Sequence, residues 1–529
     1  MFASIRSSCL VGLEAVPVQV EVHLRNGQQS RFTIIGLGGA AIRESRERIL
    51  TALEHCGFSP PAQILVNLAP ADVKKESTAF DLPIALGILA AMGAIPIEAV
   101  SGGVFCGELS LTGELKSITG AVAHALHALT DGAQRIVVPA FNGAEAGMVG
   151  DIEVIPAESL SHALLMLQGQ IPISKPLYGE RELLGERPRS ISEVIGQKIA
   201  KDALVVCAAG GHNMLMIGPP GCGKSMLAER LPQLLPDLSL KEKLEVVQIH
   251  SVAGQETASI MEGIRPFRAP HHVISEPGLI GGGTGPRPGE ISLAHRGVLF
   301  LDEFPEYRRG TLEALRAPME TGRVQLSRAR ASVMFPARFQ LLAAMNPCPC
   351  GRLGVSNTVC RCSHHAVREY LSRLSQPILD RIDLQVELEA VDIEQLTDPI
   401  LPNTSDDSKA LDQVSTARAL QYERFGALNS EVGDGVLRER SAITSLATRL
   451  LVEATRKLGL SARGYVRILR VSRTIADLRG QIEVTDDVVA EALSYRSLER
   501  LHNIINGGGS MRGSVQRKAG SSGDRSSRM

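Results

Sequence analysis

Apolar and polar positions change rhythm several times along this chain. Near the start, "VPVQVEVHLRNGQQSRFTIIGL" alternates, which predicts two strands around a turn at Asn26-Gly27. "AAIRESRERILTALEHCG" has the spacing of an amphipathic helix ending at Gly57. "DLPIALGILAAMGAI" is apolar almost throughout, as a buried helix is, and "RIVVPA" reads as a short buried strand. Together these predict an α/β domain over residues 1–167. Prolines, glycines and weak periodicity mark 168–190 as a linker.

Short apolar runs return at "NMLMIG", "GVLFLDE" and "FQLLAAMN", with helical segments between them. Strands alternating with helices predict a parallel sheet, placed within residues 191–390. The pattern then turns helical: "SKALDQVSTARALQYERF", "SAITSLATRLLVEATRKLG", "GYVRILRVSRTIADLRG" and "TDDVVAEALSYRSLERL" predict an all-helical domain over 391–505. Residues 506–529 are rich in Gly, Ser and Arg and are expected to be disordered.

Composition narrows the function classes. At 529 residues the chain is too long for one core, and 44% apolar with 21% charged residues is ordinary for a globular protein. No apolar run reaches the roughly 18 to 20 residues that span a bilayer. Glu14 interrupts what would be a signal-peptide core, so a cytoplasmic protein without a membrane partner is expected. Nine cysteines, an odd number, do not suggest a disulfide framework. A net charge of −1 means that any nucleic-acid binding needs a local basic patch. Aromatics at 3%, with no Trp, argue against gripping single strands mainly by stacking.

The chemistry is concentrated in "MLMIGPPGCGKSML", where Gly218, Pro219, Pro220, Gly221, Cys222, Gly223, Lys224 and Ser225 form a phosphate-binding loop between strand and helix. Glycines let backbone N–H groups converge on a phosphate, and a helix N-terminus adds partial positive charge. Lys224 would reach the β- and γ-phosphates of ATP, and Ser225 would ligate Mg²⁺. In "RGVLFLDEF", Asp302 would hold the Mg²⁺ shell and Glu303 would polarise the attacking water. Asn346 ends a third strand, where a polar side chain can sense the γ-phosphate. Arg381, in "SQPILDRID", is placed to supply transition-state charge to a neighbouring subunit, or else to pair with Asp380 or Asp383. Arg463 begins a helix of the last domain and could touch the γ-phosphate; Arg467 and Arg473 are spaced similarly and stand as structural alternatives.

These stretches, with "RPFRAPHHVISEPGLIGGG" and "AAMNPCPCG", resemble the ComM/YifB family of magnesium-chelatase-like AAA+ ATPases over nearly the whole chain. The resemblance implies a hexameric, ATP-driven DNA helicase that promotes branch migration during natural transformation. It also implies single-stranded and branched DNA as partners, and Arg381 acting across a subunit boundary. The first domain resembles the S5-like fold of Lon proteases. There the nucleophile position falls on Ala79 and the catalytic lysine position on His124, with Ser77 and Thr78 out of register, so a proteolytically inactive domain is expected. The alternative is an accessory ATPase for tetrapyrrole metal insertion, as in magnesium chelatase itself.

Three further features ask for roles. "RVQLSRARASVMF" predicts a hairpin whose Arg328 and Arg330 would bind DNA phosphates, against the alternative of a solvated basic turn. "CPCGRLGVSNTVCRC" places Cys348, Cys350, Cys360 and Cys362 as two C-x-C pairs nine residues apart. Four thiolates complete a structural Zn²⁺ site, with His364 and His365 in reserve; reduced free thiols and redox pairs are the alternatives. His271 and His272 lack nearby cysteines or spaced acids, so a structural or pore-loop role is expected of them.

Overall fold

In the computed structural model, residues 1–27, 29–36, 40–71, 75, 77–173, 190–283, 286–328, 331–355, 358–390 and 404–496 are described. The predicted tail, Arg330 and most of the predicted linker lie outside them. The chain forms two compact units. One comprises Met1–Arg189, Glu229–Leu301 and Tyr307–Leu341; the other comprises Ser190–Ala228, Asp302–Glu306 and Leu342–Met529.

A seven-stranded sheet dominates the first unit, in the order Arg31–Ile35, Gln63–Ala69, Glu14–Arg25, Phe2–Val11, Gly103–Phe105, Arg135–Pro139, Glu153–Ala157. Burial alternates along Glu14–Arg25, with Val18, Val20, Val22 and Leu24 inward. Period 2 puts these on one face of the sheet. That face packs on the helix Asp81–Met92, whose residues are buried through Ala91, as its apolar run predicts. The expected hairpin at Asn26-Gly27 is not made. Glu14–Arg25 pairs instead with Phe2–Val11, a strand that pattern reading missed, and with Gln63–Ala69. Arg31–Ile35 runs parallel to Gln63–Ala69. The helix Ala40–His55 connects those two strands, and a crossover of this kind joins parallel neighbours where a tight turn cannot.

Beside this sheet lies the helix Leu240–Val252, started by a capping box in which Ser239 and Glu242 satisfy each other's backbone amides. Its Val246 and Val247 are buried in a cluster with Val122 and Met148. Burying such side chains contributes about 1.5–3 kcal/mol each. The Gly120 amide donates to Ser251 Oγ at 2.8 Å and Gln248 Nε2 to the Leu13 carbonyl at 2.7 Å, which fixes the helix against the sheet domain.

The second unit is built on three parallel strands. Met214–Ile217 lies between Leu342–Met345, the end of strand Gln340–Met345, and Leu384–Glu387. Every residue of Met214–Ile217 is buried, as expected of a parallel strand covered on both faces. Leu384–Glu387 escaped the sequence pattern because it is only four residues long and its Gln385 is buried along with Leu384 and Val386. The helices Thr404–Phe425, Asp434–Arg440, Ser445–Lys457, Ala462–Leu478 and Asp486–Ser494 bear out the helical C-terminal region.

Candidate nucleotide site and cysteine cluster

The loop after Met214–Ile217 turns through Gly221 (φ 77°) and Gly223 (φ 93°), a left-handed geometry that favours glycine. Lys224 Nζ folds back to donate to the carbonyls of Gly218 (2.8 Å) and Pro219 (2.9 Å), and reaches Asn346 Oδ1 at 3.3 Å. The helix that begins at Lys224 is short, Lys224–Ala228, so loop amides rather than a long helix dipole would supply the anion field. Cys222 is buried with its Sγ 3.8 Å from Lys224 Nζ; burial raises its pKa against the pull of that ammonium, which keeps the thiol neutral.

Ser225 Oγ donates to Asp302 Oδ2 at 2.9 Å. A hydroxyl and a carboxylate converging on one point form the hard oxygen donor set that Mg²⁺ takes. Glu303 is exposed and stands at φ 51°, a left-handed conformation uncommon outside glycine. Its amide donates to Asp302 Oδ1 at 2.8 Å, which ties the two acids into one turn. Asn346 is further held by Tyr370, whose hydroxyl bonds the Asn346 backbone; burial pushes that hydroxyl's pKa up to about 12. Lys224, Ser225, Asp302, Glu303 and Asn346 thus come together from three separate stretches of chain.

The two remaining arginines sit apart from these contacts. Arg381 is half-buried and donates through Nη1 to the Pro377 carbonyl. Arg463 is exposed in the first turn of helix Ala462–Leu478, whose N-cap is Ser461. Its two rivals are buried in structural contacts. Arg467 faces Asp383, and Arg473 donates to Asp477 and to the carbonyls of Ser441, Gln481 and Ile482.

Two residues here were not picked out from the sequence. Gln197 (φ 53°) donates from Nε2 to the carbonyls of Cys222 and Glu389, bridging the glycine-rich loop to the segment just after strand Leu384–Glu387. Gly351 (φ 72°) lies so close to Pro220 that a Cβ would stand 2.6 Å from its Cδ. Only its place inside a cysteine motif marked it.

That motif closes into a cluster. The four sulfur atoms of Cys348, Cys350, Cys360 and Cys362 lie within 4.8 Å of one another, with separations of 3.4, 3.7 and 3.7 Å among the first three. Tetrahedral Zn²⁺ with bonds of about 2.3 Å sets its sulfurs about 3.8 Å apart, so the donor set fits zinc. His364 and His365 begin the next helix, and His365 pairs with Glu369.

The basic hairpin forms as Arg323–Arg328 against Ala331–Pro336, with Ser327 opposite Ser332. Val333 packs over the Gly12 turn, where a Cβ would meet its Cγ1 at 2.5 Å. The Arg328 side chain and Arg330 lie outside the described residues. The rings of His271 and His272 lie 4.2 Å apart and tilted by 34°, with Tyr307 edge-on to His272. In the sheet domain Ala79 is buried, and the Ser77 hydroxyl accepts the Ala79 amide. His124 is fully buried, with Nδ1 2.7 Å from Ser8 Oγ.

A loop of this form after one parallel strand, an acidic pair ending another, a polar residue ending a third and a following helical region define an AAA+ protein. Models of the magnesium chelatase subunit ChlI match residues 20–142 and 190–396, and a ChlI C-terminal model matches 405–496. Competence protein ComM of Haemophilus influenzae is 42% identical, covering 94% of this chain and 98% of its own. An uncharacterised protein, YifB, of Escherichia coli is 40% identical over 94% of this chain and 97% of its own. The magnesium-chelatase 38 kDa subunit of Cereibacter sphaeroides is 25% identical over 59% of this chain and 92% of its own. The chain belongs to the ComM/YifB family of magnesium-chelatase-like AAA+ proteins.

Proposed function

We propose that this protein is an ATP-driven motor that assembles as a homo-hexamer in the cytoplasm and moves on single-stranded and branched DNA, promoting branch migration during natural transformation. The observation that carries the reading is the convergence of Lys224, Ser225, Asp302 and Asn346, with Glu303 beside them. Lys224 and the loop amides would hold the ATP phosphates, and Ser225 and Asp302 would hold Mg²⁺. Glu303 would orient the attacking water, while Asn346 reports the γ-phosphate to Lys224. Arg463 would act on the nucleotide of its own chain and Arg381 on that of a neighbour. Likeness over nearly full length to a competence protein supports DNA as the track. Arg328 and Arg330 on the hairpin would meet its phosphates.

In this reading residues 1–167 form the Lon-like domain, joined by the linker 168–190 to the ATPase core 191–390. The helical domain 391–505 and the tail 506–529 follow. With Ala79 and His124 at the Lon nucleophile and lysine positions, the Lon-like domain would be proteolytically inactive. The four cysteines would hold a structural Zn²⁺ between the sensor Asn346 and the arginine-bearing segment. Likeness to a magnesium-chelatase subunit favours the second reading, an accessory ATPase for tetrapyrrole metal insertion, over part of the chain only.

ATP hydrolysis measured with and without single-stranded DNA, followed by strand displacement from a labelled fork, separates the two. The DNA motor predicts stimulation and displacement; an ATPase indifferent to DNA that leaves the fork intact rules it out. Glu303→Gln should retain ATP while turnover falls about 10²-fold or more.

A further inference from the structure

The backbone that carries Arg381 is held by side chains from three other places in the second unit. Asn213 Nδ2 donates to the Arg381 carbonyl at 2.9 Å. Arg467 Nη1 and Arg496 Nη1 reach the carbonyls of Leu379 and Ile382, each at 3.4 Å. Asp383, two residues on, is buried between His212 Nδ1 at 3.2 Å and Arg467 Nε at 3.8 Å. Burial alone would raise the Asp383 pKa, but the His212 bond and the charges of Arg467 and Arg470 outweigh it and keep the carboxyl ionised. A buried guanidinium and a buried carboxylate are thus paired at the root of the arginine segment, where losing either would leave the other uncompensated.

The sources of these contacts matter. Asn213 immediately precedes strand Met214–Ile217, which delivers the phosphate loop at its other end. Arg467 stands four residues after Arg463 on helix Ala462–Leu478, close to one turn away on nearly the same face. One helix therefore carries both the arginine proposed to touch its own chain's nucleotide and the arginine that grips the segment bearing Arg381.

We propose that Arg467, with Asp383 as its partner, is a positioning residue that sets how Arg381 is presented to the neighbouring copy's nucleotide. The proposal rests on the reading of Arg381 as acting between copies. Arg467 touches no nucleotide itself. Movement of the helix with the state of its own site is passed through Leu379 and Asp383 to Arg381, and so to the next site in the ring.

Mixed rings test this. Lys224→Ala chains cannot use ATP but still donate Arg381, while Arg381→Ala chains bind ATP without offering that arginine. Each alone is inactive, and mixing them restores hydrolysis where the two complement. Arg467→Ala on the Lys224→Ala chain should cut the restored rate about tenfold or more; on the Arg381→Ala chain it should cut it less than about threefold. Equal losses on both chains, a loss only on the ATP-binding chain, or no loss overturn the proposal. No restored hydrolysis in the parent mixture overturns the between-copy role of Arg381 itself, and the proposal with it. Arg467→Lys keeps charge beside Asp383 but loses the planar fork. It should show the same one-sided loss, and decides the matter if the alanine chain does not fold.

Discussion

Three arginines on one helix show what a residue's surroundings decide. Arg463, Arg467 and Arg473 share a helix, yet one is exposed, one grips the Arg381 segment and one is fully buried on Asp477. Asp477 is also bound by Arg424 and Asn429, so Arg473 belongs to a closed polar knot. Arg473→Ala should cost about 3 kcal/mol in urea unfolding, because it opens a buried charge pair. Arg463→Ala should leave the unfolding curve within about 0.5 kcal/mol and instead lower ATP turnover. At the same scale, Glu303 was legible as an acid after a strand, but its left-handed backbone was not. That conformation costs free energy, and the turn holds it through the Glu303 amide on Asp302 Oδ1 and the Glu306 amide on the Glu303 carbonyl.

Whole elements carry two further consequences. The cysteine loop runs from Asn346 toward helix His364–Ser372, and its Gly351 abuts Pro220 of the glycine-rich loop. Stripping metal from the protein with a strong chelator should therefore lower ATPase as well as release about one Zn²⁺ per chain, and Cys350→Ser with Cys360→Ser should reproduce the loss. If the double variant keeps full DNA-stimulated ATPase, the loop is only a structural knot.

Helix Leu240–Val252 is tied to the residues that flank strand Val298–Leu301 through His295. The Arg338 amide donates to His295 Nδ1 at 3.0 Å, so the ring's proton lies on Nε2, which faces Glu245 at 3.3 Å. Protonating Nδ1 would break the Arg338 bond. Burial lowers the His295 pKa, while the His295 bond and Arg296 hold Glu245 down at about 2. Both folded pKa values lie below their unfolded ones. The His295 contribution is thus complete above about pH 6.5 and lost as pH falls below it; that of Glu245 is lost below about pH 4.3. Unfolding followed from pH 8 to pH 5 should show a decline that His295→Gln reduces.

For the whole molecule, the proposed ring makes assembly conditional on nucleotide. Sedimentation of the Glu303→Gln chain with ATP should show a hexamer that wild type forms only transiently, and Lys224→Ala by itself, with no ATP-binding chain mixed in, should remain small under the same conditions. A monomer in all conditions would remove the inter-copy role of Arg381.

Periodicity and spacing by themselves marked the glycine-rich loop after a strand, the acidic pair after another, the helical C-terminal region and the basic hairpin as local features. Each is encoded within a short stretch, where side-chain period or a local motif carries the signal. The first hairpin was misplaced because Asn26-Gly27 is only a local turn preference, while strand neighbours are chosen by burial over tens of residues. Strand Leu384–Glu387, the Gln197 bridge and the choice among three helix arginines were likewise decided only by tertiary structure. Each depends on which distant group stands within hydrogen-bonding distance, and no local pattern in the chain records that.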